Sequence, residues 1–161
     1  MKKMAEEEAF RKAAALCAKR EMGSYDMRRK LAAWGLNAGE LQAVLDRLER
    51  EGFIDDERYA RMFVRERLRL NKWGRVKIAV ALRAKGFGEE GIERALAGID
   101  GAEYGEILEE VLKTKARTVA AASEYERRSK LARFAQSRGF ELDLALRALD
   151  RIGKDAEDEA G

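Results

Sequence analysis

The 161-residue sequence predicts an all-α fold, three tandem three-helix repeats forming an elongated, curved array. Three observations predict it. Proline is absent, while 46% of residues are hydrophobic and 39% charged, a balance that suits helices with one buried and one solvated face. Apolar residues recur at helical spacing, and no stretch alternates in the manner of a strand. Finally, Gly35, Gly86 and Gly139 are separated by 51 and 53 residues, and each is followed by a large apolar residue: Leu36, Phe87 or Phe140. A period of that size marks an array of similar supersecondary units.

The elements follow in order. A first helix is expected over about Glu6–Arg20, Asp56–Leu70 and Gly105–Ala121 in successive units. A second is expected over about Tyr25–Trp34, Arg75–Lys85 and Tyr125–Arg138. The marked glycine then suits a left-handed C-cap, closed by the apolar residue after it. In the third helix, Leu41, Ile92 and Ala145, then Leu45, Leu96 and Leu149, then Leu48, Ile99 and Ile152 share one face. Asn37 followed by Glu40 is a capping-box pattern for the third helix of unit one. The repeats are placed at 5–53, 54–101 and 102–153, with an acidic C-terminal tail over 154–161. Units of this size are small for independent stability, so neighbours should pack.

Composition narrows the chemistry. Without histidine the chain lacks the usual neutral-pH base and the commonest metal ligand. Ser-His and Cys-His nucleophiles and His/Cys zinc sites are thereby excluded. No glycine-rich phosphate loop is present, so neither an enzyme, a cofactor nor a metal is expected. The single cysteine, Cys17, lies among alanine and leucine and reads as a small apolar packing residue. One cysteine forms no intrachain disulfide, no apolar run reaches membrane-span length, and "MKKMAEEEAF" lacks the apolar core of a signal peptide. A cytoplasmic monomer is the expectation.

The stretch "GFIDDERYARMF", Gly52–Phe63, holds adjacent acids. Asp55 suits an N-cap, and Asp56 and Glu57 suit the positive end of the helix dipole. No further ligand set supports a metal there. Downstream, the net charge of +3 conceals a segregated block. Arg58, Arg61, Arg65, Arg67, Arg69, Lys72, Arg75, Lys77, Arg83 and Lys85 share residues 58–85 with one acid, Glu66. At helical pitch Arg58, Arg61, Arg65 and Arg69 fall on a stripe about 80° wide. Val76, Ile78, Ala79, Val80 and Leu82 spread around the next helix, which reads as largely buried. Arg127, Arg128 and Arg133 add a basic helix in unit three, and Arg28, Arg29 and Lys30 one in unit one. A charged face is ordinarily just solvated; a row this rich in arginine also suits an anionic partner. Trp34 and Trp73 read as packing anchors rather than base-stacking platforms.

Four stretches carry a family resemblance: "SYDMRRKLAAWG", "LEREGFIDDERYARMFVRERL", "WGRVKIAVALRAKGF" and "KLARFAQSRGF". With them the sequence resembles the RecX regulatory proteins of bacteria over most of residues 9–152. The resemblance implies tandem three-helix repeats and a non-enzymatic protein that binds the RecA recombinase and its filament on single-stranded DNA. It implies inhibition of ATPase, strand-exchange and coprotease activities, with DNA as a composite or weak direct contact. Tyr59 stands where the family commonly has Phe, Lys77 where Arg is common, and Ala135 where Leu is expected. The partner-facing residues expected are Arg58, Arg61, Arg65, Arg69, Lys72, Arg75, Lys77, Arg83, Lys85, Arg127, Arg128 and Arg133. The competing expectation is a stand-alone basic helical nucleic-acid-binding module, although no repeat gathers Arg, Asn and Gln at a helix start for base reading.

Overall fold

The computed structural model describes residues 4–160; Met1–Lys3 and Gly161, the ends of the basic start and the acidic tail, lie outside the described residues. Within them the chain forms α1 (Glu6–Lys19), α2 (Ser24–Ala33), α3 (Ala38–Arg50), α4 (Asp56–Arg69), α5 (Arg75–Ala84), α6 (Glu89–Ala97), α7 (Gly101–Ala116), α8 (Glu124–Ser137) and α9 (Leu142–Ala160). Helices pack by threes in chain order, and α4 also packs on α7. The all-α tandem architecture is therefore as the sequence predicts. The accessible surface is 9984 Å². A compact monomer of this mass would expose roughly 8,100 Å², so the body is drawn out.

The repeated glycines work as expected. Gly35, Gly86 and Gly139 have φ of 90°, 84° and 95°. In each case the next residue donates its backbone N–H five residues back: Leu36 to Leu31, Phe87 to Leu82, Phe140 to Ala135. These are Schellman closures, and they end α2, α5 and α8 alike. The capping box of Asn37 and Glu40 is formed at the start of α3. Two boundaries differ from expectation. The first helix of unit three starts at Gly101 and ends at Ala116, because Asp100 caps it by accepting from the Glu103 N–H at 2.9 Å. Residues 154–160, expected as an acidic tail, are the last turns of α9.

Burial divides unevenly along the chain. Unit one has its own core, with Phe10, Met27, Leu31, Leu45 and Leu48 at its centre. Units two and three share one, from Phe63 and Ile78 through Ile107 and Leu112 to Phe140. Each fully buried side chain of this kind contributes roughly 1.5–3 kcal/mol. The joint between units two and three is tight enough to bring backbones together. Gly74 donates its N–H to the Arg138 carbonyl at 2.8 Å, and Val76 to the Gly139 carbonyl at 3.0 Å. A Cβ at Gly74 would collide with the Gly139 peptide. The buried Tyr104 hydroxyl accepts from the Arg75 N–H and donates to the Glu141 carboxylate. Burial, with that hydrogen bond second, pushes the phenol far above its ordinary pKa.

The joint between units one and two is polar. Asp56 of α4 accepts from the Ser24 N–H at 2.8 Å and the Ser24 hydroxyl at 2.5 Å. Lys85 reaches Asp26 at 2.7 Å, and Arg58 reaches Glu21 at 2.8 Å. The second helices thus stand in file: the C-terminal end of α8 meets the start of α5, and the end of α5 meets the start of α2.

One backbone feature stands apart. Lys72 has φ of 57°, the one positive value at a non-glycine residue among the described residues. A side chain in that region costs about 1 kcal/mol relative to glycine.

Candidate functional site

Asp55 caps α4 by accepting from the Arg58 N–H at 3.0 Å. Asp56 opens the first turn of α4 as expected and also does something the sequence did not suggest: it serves the first turn of α2, thirty-two residues away. An anion there satisfies a free helix amide and favours the α2 dipole. Among the described residues no group of three or more His, Cys, Asp or Glu side chains is placed to hold a metal ion. No described helix is long and apolar enough to cross a membrane.

The basic block separates into two kinds of residue. One kind joins the fold. Arg58 pairs with Glu21 and also donates to the carbonyls of Gly52 and Phe53. Arg69 holds Glu103 of α7 with both oxygens engaged, at 2.6 and 3.1 Å. The hydrogen bond from Arg69 first, and then its charge, hold the Glu103 carboxyl below the usual carboxylate range against the opposing effect of desolvation. Lys72 pairs with Glu110, Arg75 with Glu141, Arg83 with Glu89, Lys85 with Asp26 and Arg128 with Asp150. Arg127 donates to the Ala116 carbonyl. The Lys85 amine has a raised pKa: its burial alone would lower it, and its hydrogen bonds to Asp26 and Tyr59 overcome that.

The second kind faces outward. Arg61, Arg65 and Arg133 are exposed and have no acidic partner among the described residues. Lys77 has none either; its amine lies 4.7 Å from the centre of the Trp73 ring. Arg61 and Arg65 fall on the side of α4 that faces α6. There Arg61 lines two adjoining cavities, of about 440 Å³ and about 160 Å³, which also share Ala95, and Arg65 lines the smaller. Arg94 lines the larger one and pairs with Glu57 at 3.1 Å. The four-arginine stripe is thus two free arginines between two structural ones, Arg58 and Arg69.

The α5 helix departs from its expected burial. Ile78, Ala79 and Leu82 are buried, but Val76 is 53% exposed and Val80 58%. These two valines are one turn apart and form an apolar strip beside Lys77. Trp34 and Trp73 pack against the two cores, as anchors should. Cys17 is half-buried against the first core, and burial raises its thiol pKa. Sequence reasoning passed over Glu21, Asp26, Glu103 and Glu141, the acids that hold the basic block in place. For Glu103 a signal existed: "DGAE" has the spacing of an N-cap pair.

The sequence matches the family model for RecX, second three-helix domain, over residues 55–96, and that for RecX, third three-helix domain, over residues 102–149. The regulatory protein RecX of Halorhodospira halophila (strain DSM 244 / SL1) is 35% identical over 157 residues, covering 96% of this chain and 93% of that protein. The regulatory protein RecX of Pseudomonas syringae pv. tomato is 34% identical over 140 residues, covering 87% and 88%. In fold, the crystal structure of RecX from Lactobacillus salivarius superposes with a TM-score of 0.82 at 17% identity, over 92% of this chain and 96% of that one. By helix order, domain matches and sequence identity alike, the chain belongs to the RecX family of regulatory proteins.

Proposed function

We propose that this protein regulates the RecA recombinase by binding its filament on single-stranded DNA and lowering its ATPase, strand-exchange and coprotease activities. It acts without catalysis of its own, as a cytoplasmic monomer. Family membership supplies the regulatory role; the partner and the inhibited activities are our reading. One observation carries the site: Arg61 and Arg65 stand unpaired over the α4–α6 groove, in a protein that matches most of its neighbouring cations to its own acids. Guanidinium groups left free in this way are set to receive carboxylate or phosphate from a partner. The Val76–Val80 strip offers apolar contact, which suits a protein surface better than a bare polyanion.

The test is ATP hydrolysis by RecA on single-stranded DNA. The protein should slow it at near-stoichiometric amounts. Arg61→Glu combined with Arg65→Glu should leave helicity unchanged and raise the concentration needed by on the order of tenfold or more, since two charge-assisted contacts are reversed. Full inhibition by the double variant would return α4 to a merely solvated face. A wild-type protein with no effect on RecA but base-selective DNA binding would instead support the stand-alone nucleic-acid module.

A further inference from the structure

A second basic site lies away from the α4–α6 groove, at the seam between units two and three. A cavity of about 440 Å³ is lined there by Lys72, Lys115 and Arg138, with Thr114 and Thr118. Neither Lys115 nor Arg138 has an acidic partner among the described residues. The one carboxylate lining the cavity is Glu110, which meets Lys72 at 3.2 Å and is itself exposed. The cavity therefore holds three cations against one anion. Arg138 is fixed in place, because its guanidinium donates to the Asn71 carbonyl. Lys115 is held over the Phe134 ring, 4.8 Å from its centre.

The conformation of Lys72 adds an independent observation. The other positive-φ positions among the described residues, Gly35, Gly52, Gly86 and Gly139, are all glycine. At Lys72 the chain instead carries a long cationic side chain through a backbone conformation that disfavours it. An exposed bridge to Glu110 is weak compensation. Strained positions that persist point to a use for the side chain. Here the side chain is delivered to the rim of a cavity already holding two unmatched cations.

We propose that this cavity binds a phosphate group of single-stranded nucleic acid directly. Two ammonium groups, a guanidinium and the Thr114 hydroxyl suit the tetrahedral oxygens of a phosphate; the Thr118 hydroxyl is spent on the Lys115 carbonyl. A strand, rather than a free mononucleotide, fits what lies next to the cavity. Trp73 follows Lys72 in the chain, with Lys77 at 4.7 Å and Arg67 at 5.5 Å from its ring centre. Lys77 and Arg67 carry the positive surface on beyond Lys72, the charged track that a nucleic-acid backbone follows, while Trp73 itself anchors the core. The proposal rests on the reading of the protein as a regulator of a DNA-bound filament, and it names where the strand is held.

The experiment measures anisotropy of a labelled oligothymidylate with the full-length protein, at low salt and without RecA. Lys72→Gly should bind at least about fivefold more weakly, with a salt dependence shallower by about one ion. It should melt at or above the wild-type temperature, because glycine relieves the backbone. Lys115→Glu should weaken binding further with helicity retained. Thymidine monophosphate at matched phosphate concentration should not displace the strand. Wild-type protein that fails to bind the oligonucleotide, or variants that bind as well as wild type, would overturn the site. A lowered melting point with unchanged binding in Lys72→Gly would make Lys72 a structural residue. Displacement by the monophosphate would replace the strand with a mononucleotide. Since no RecA is present, a failure of the filament reading leaves these outcomes separate.

Discussion

Gly74 and Gly88 make a matched pair for testing the seam between units two and three. Both are N-caps, of α5 and α6, without a side-chain cap, and their φ values are −82° and −78°. Alanine is therefore equally admissible to the backbone at both. They differ in what a Cβ would meet: the peptide of Gly139 at Gly74, and open space at Gly88. Gly74→Ala must push α5 off the end of α8. That movement strains the bonds from Gly74 to Arg138 and from Val76 to Gly139, and the Arg75 N–H bond to Tyr104. Three hydrogen bonds at about 0.5–1.5 kcal/mol each set the loss at about 2–4 kcal/mol. Gly88→Ala should lose only the difference in capping preference, about 0.5–1 kcal/mol. Urea denaturation followed by circular dichroism measures both. Equal losses in the two variants would refute the claim that the units meet backbone to backbone.

Other outcomes follow from the same joints. Tyr104→Phe should cost about 1–2 kcal/mol in denaturation, because it leaves the Arg75 N–H and Glu141 short of a partner in a buried place. Asp56→Ala removes the acceptor shared by the Ser24 N–H and hydroxyl; its effect should appear as faster proteolysis at the α1–α2 turn, with the shared core of units two and three unaffected. The Glu103 carboxyl is depressed in the folded state, so its contribution is complete above the unfolded carboxylate range, near pH 4.3, and is lost as pH falls through the lower folded value. The melting-temperature gap between wild type and Glu103→Gln should therefore shrink on acidification from neutral pH, and a constant gap would contradict the Arg69–Glu103 bridge.

The helix ends were legible because they are governed by local chemistry. Glycine at a C-cap, an N-cap acid and a helical apolar face act within a few residues, and "WGLN", "KGFG" and "RGFE" carry them openly. The partners of Arg58, Arg69 and Lys85 were not legible. They lie 37, 34 and 59 residues away, and a charge pattern does not say which acid will fold against it. Val76 and Val80 misled for a related reason: a wheel apolar all round implies burial, and only the packing of α4 and α6 on the other side of α5 reveals which part is left uncovered. The α9 helix runs past its last expected core residue, Ile152, and through Gly153, because Lys154 follows that glycine where Leu36, Phe87 and Phe140 close the other helix ends.

The unequal distribution of apolar burial has a mechanical consequence. Units two and three share one core, so separating them would expose apolar side chains to water. Unit one meets them through the polar contacts of Asp56, Lys85 and Arg58 and through Gly23 set against the Tyr59 ring, with no shared apolar core. Bending should therefore fall at the joint between units one and two rather than between units two and three. Raising the ionic strength should loosen that joint alone, so the angle of the first unit becomes adjustable while the remaining two-thirds of the molecule keeps a fixed form.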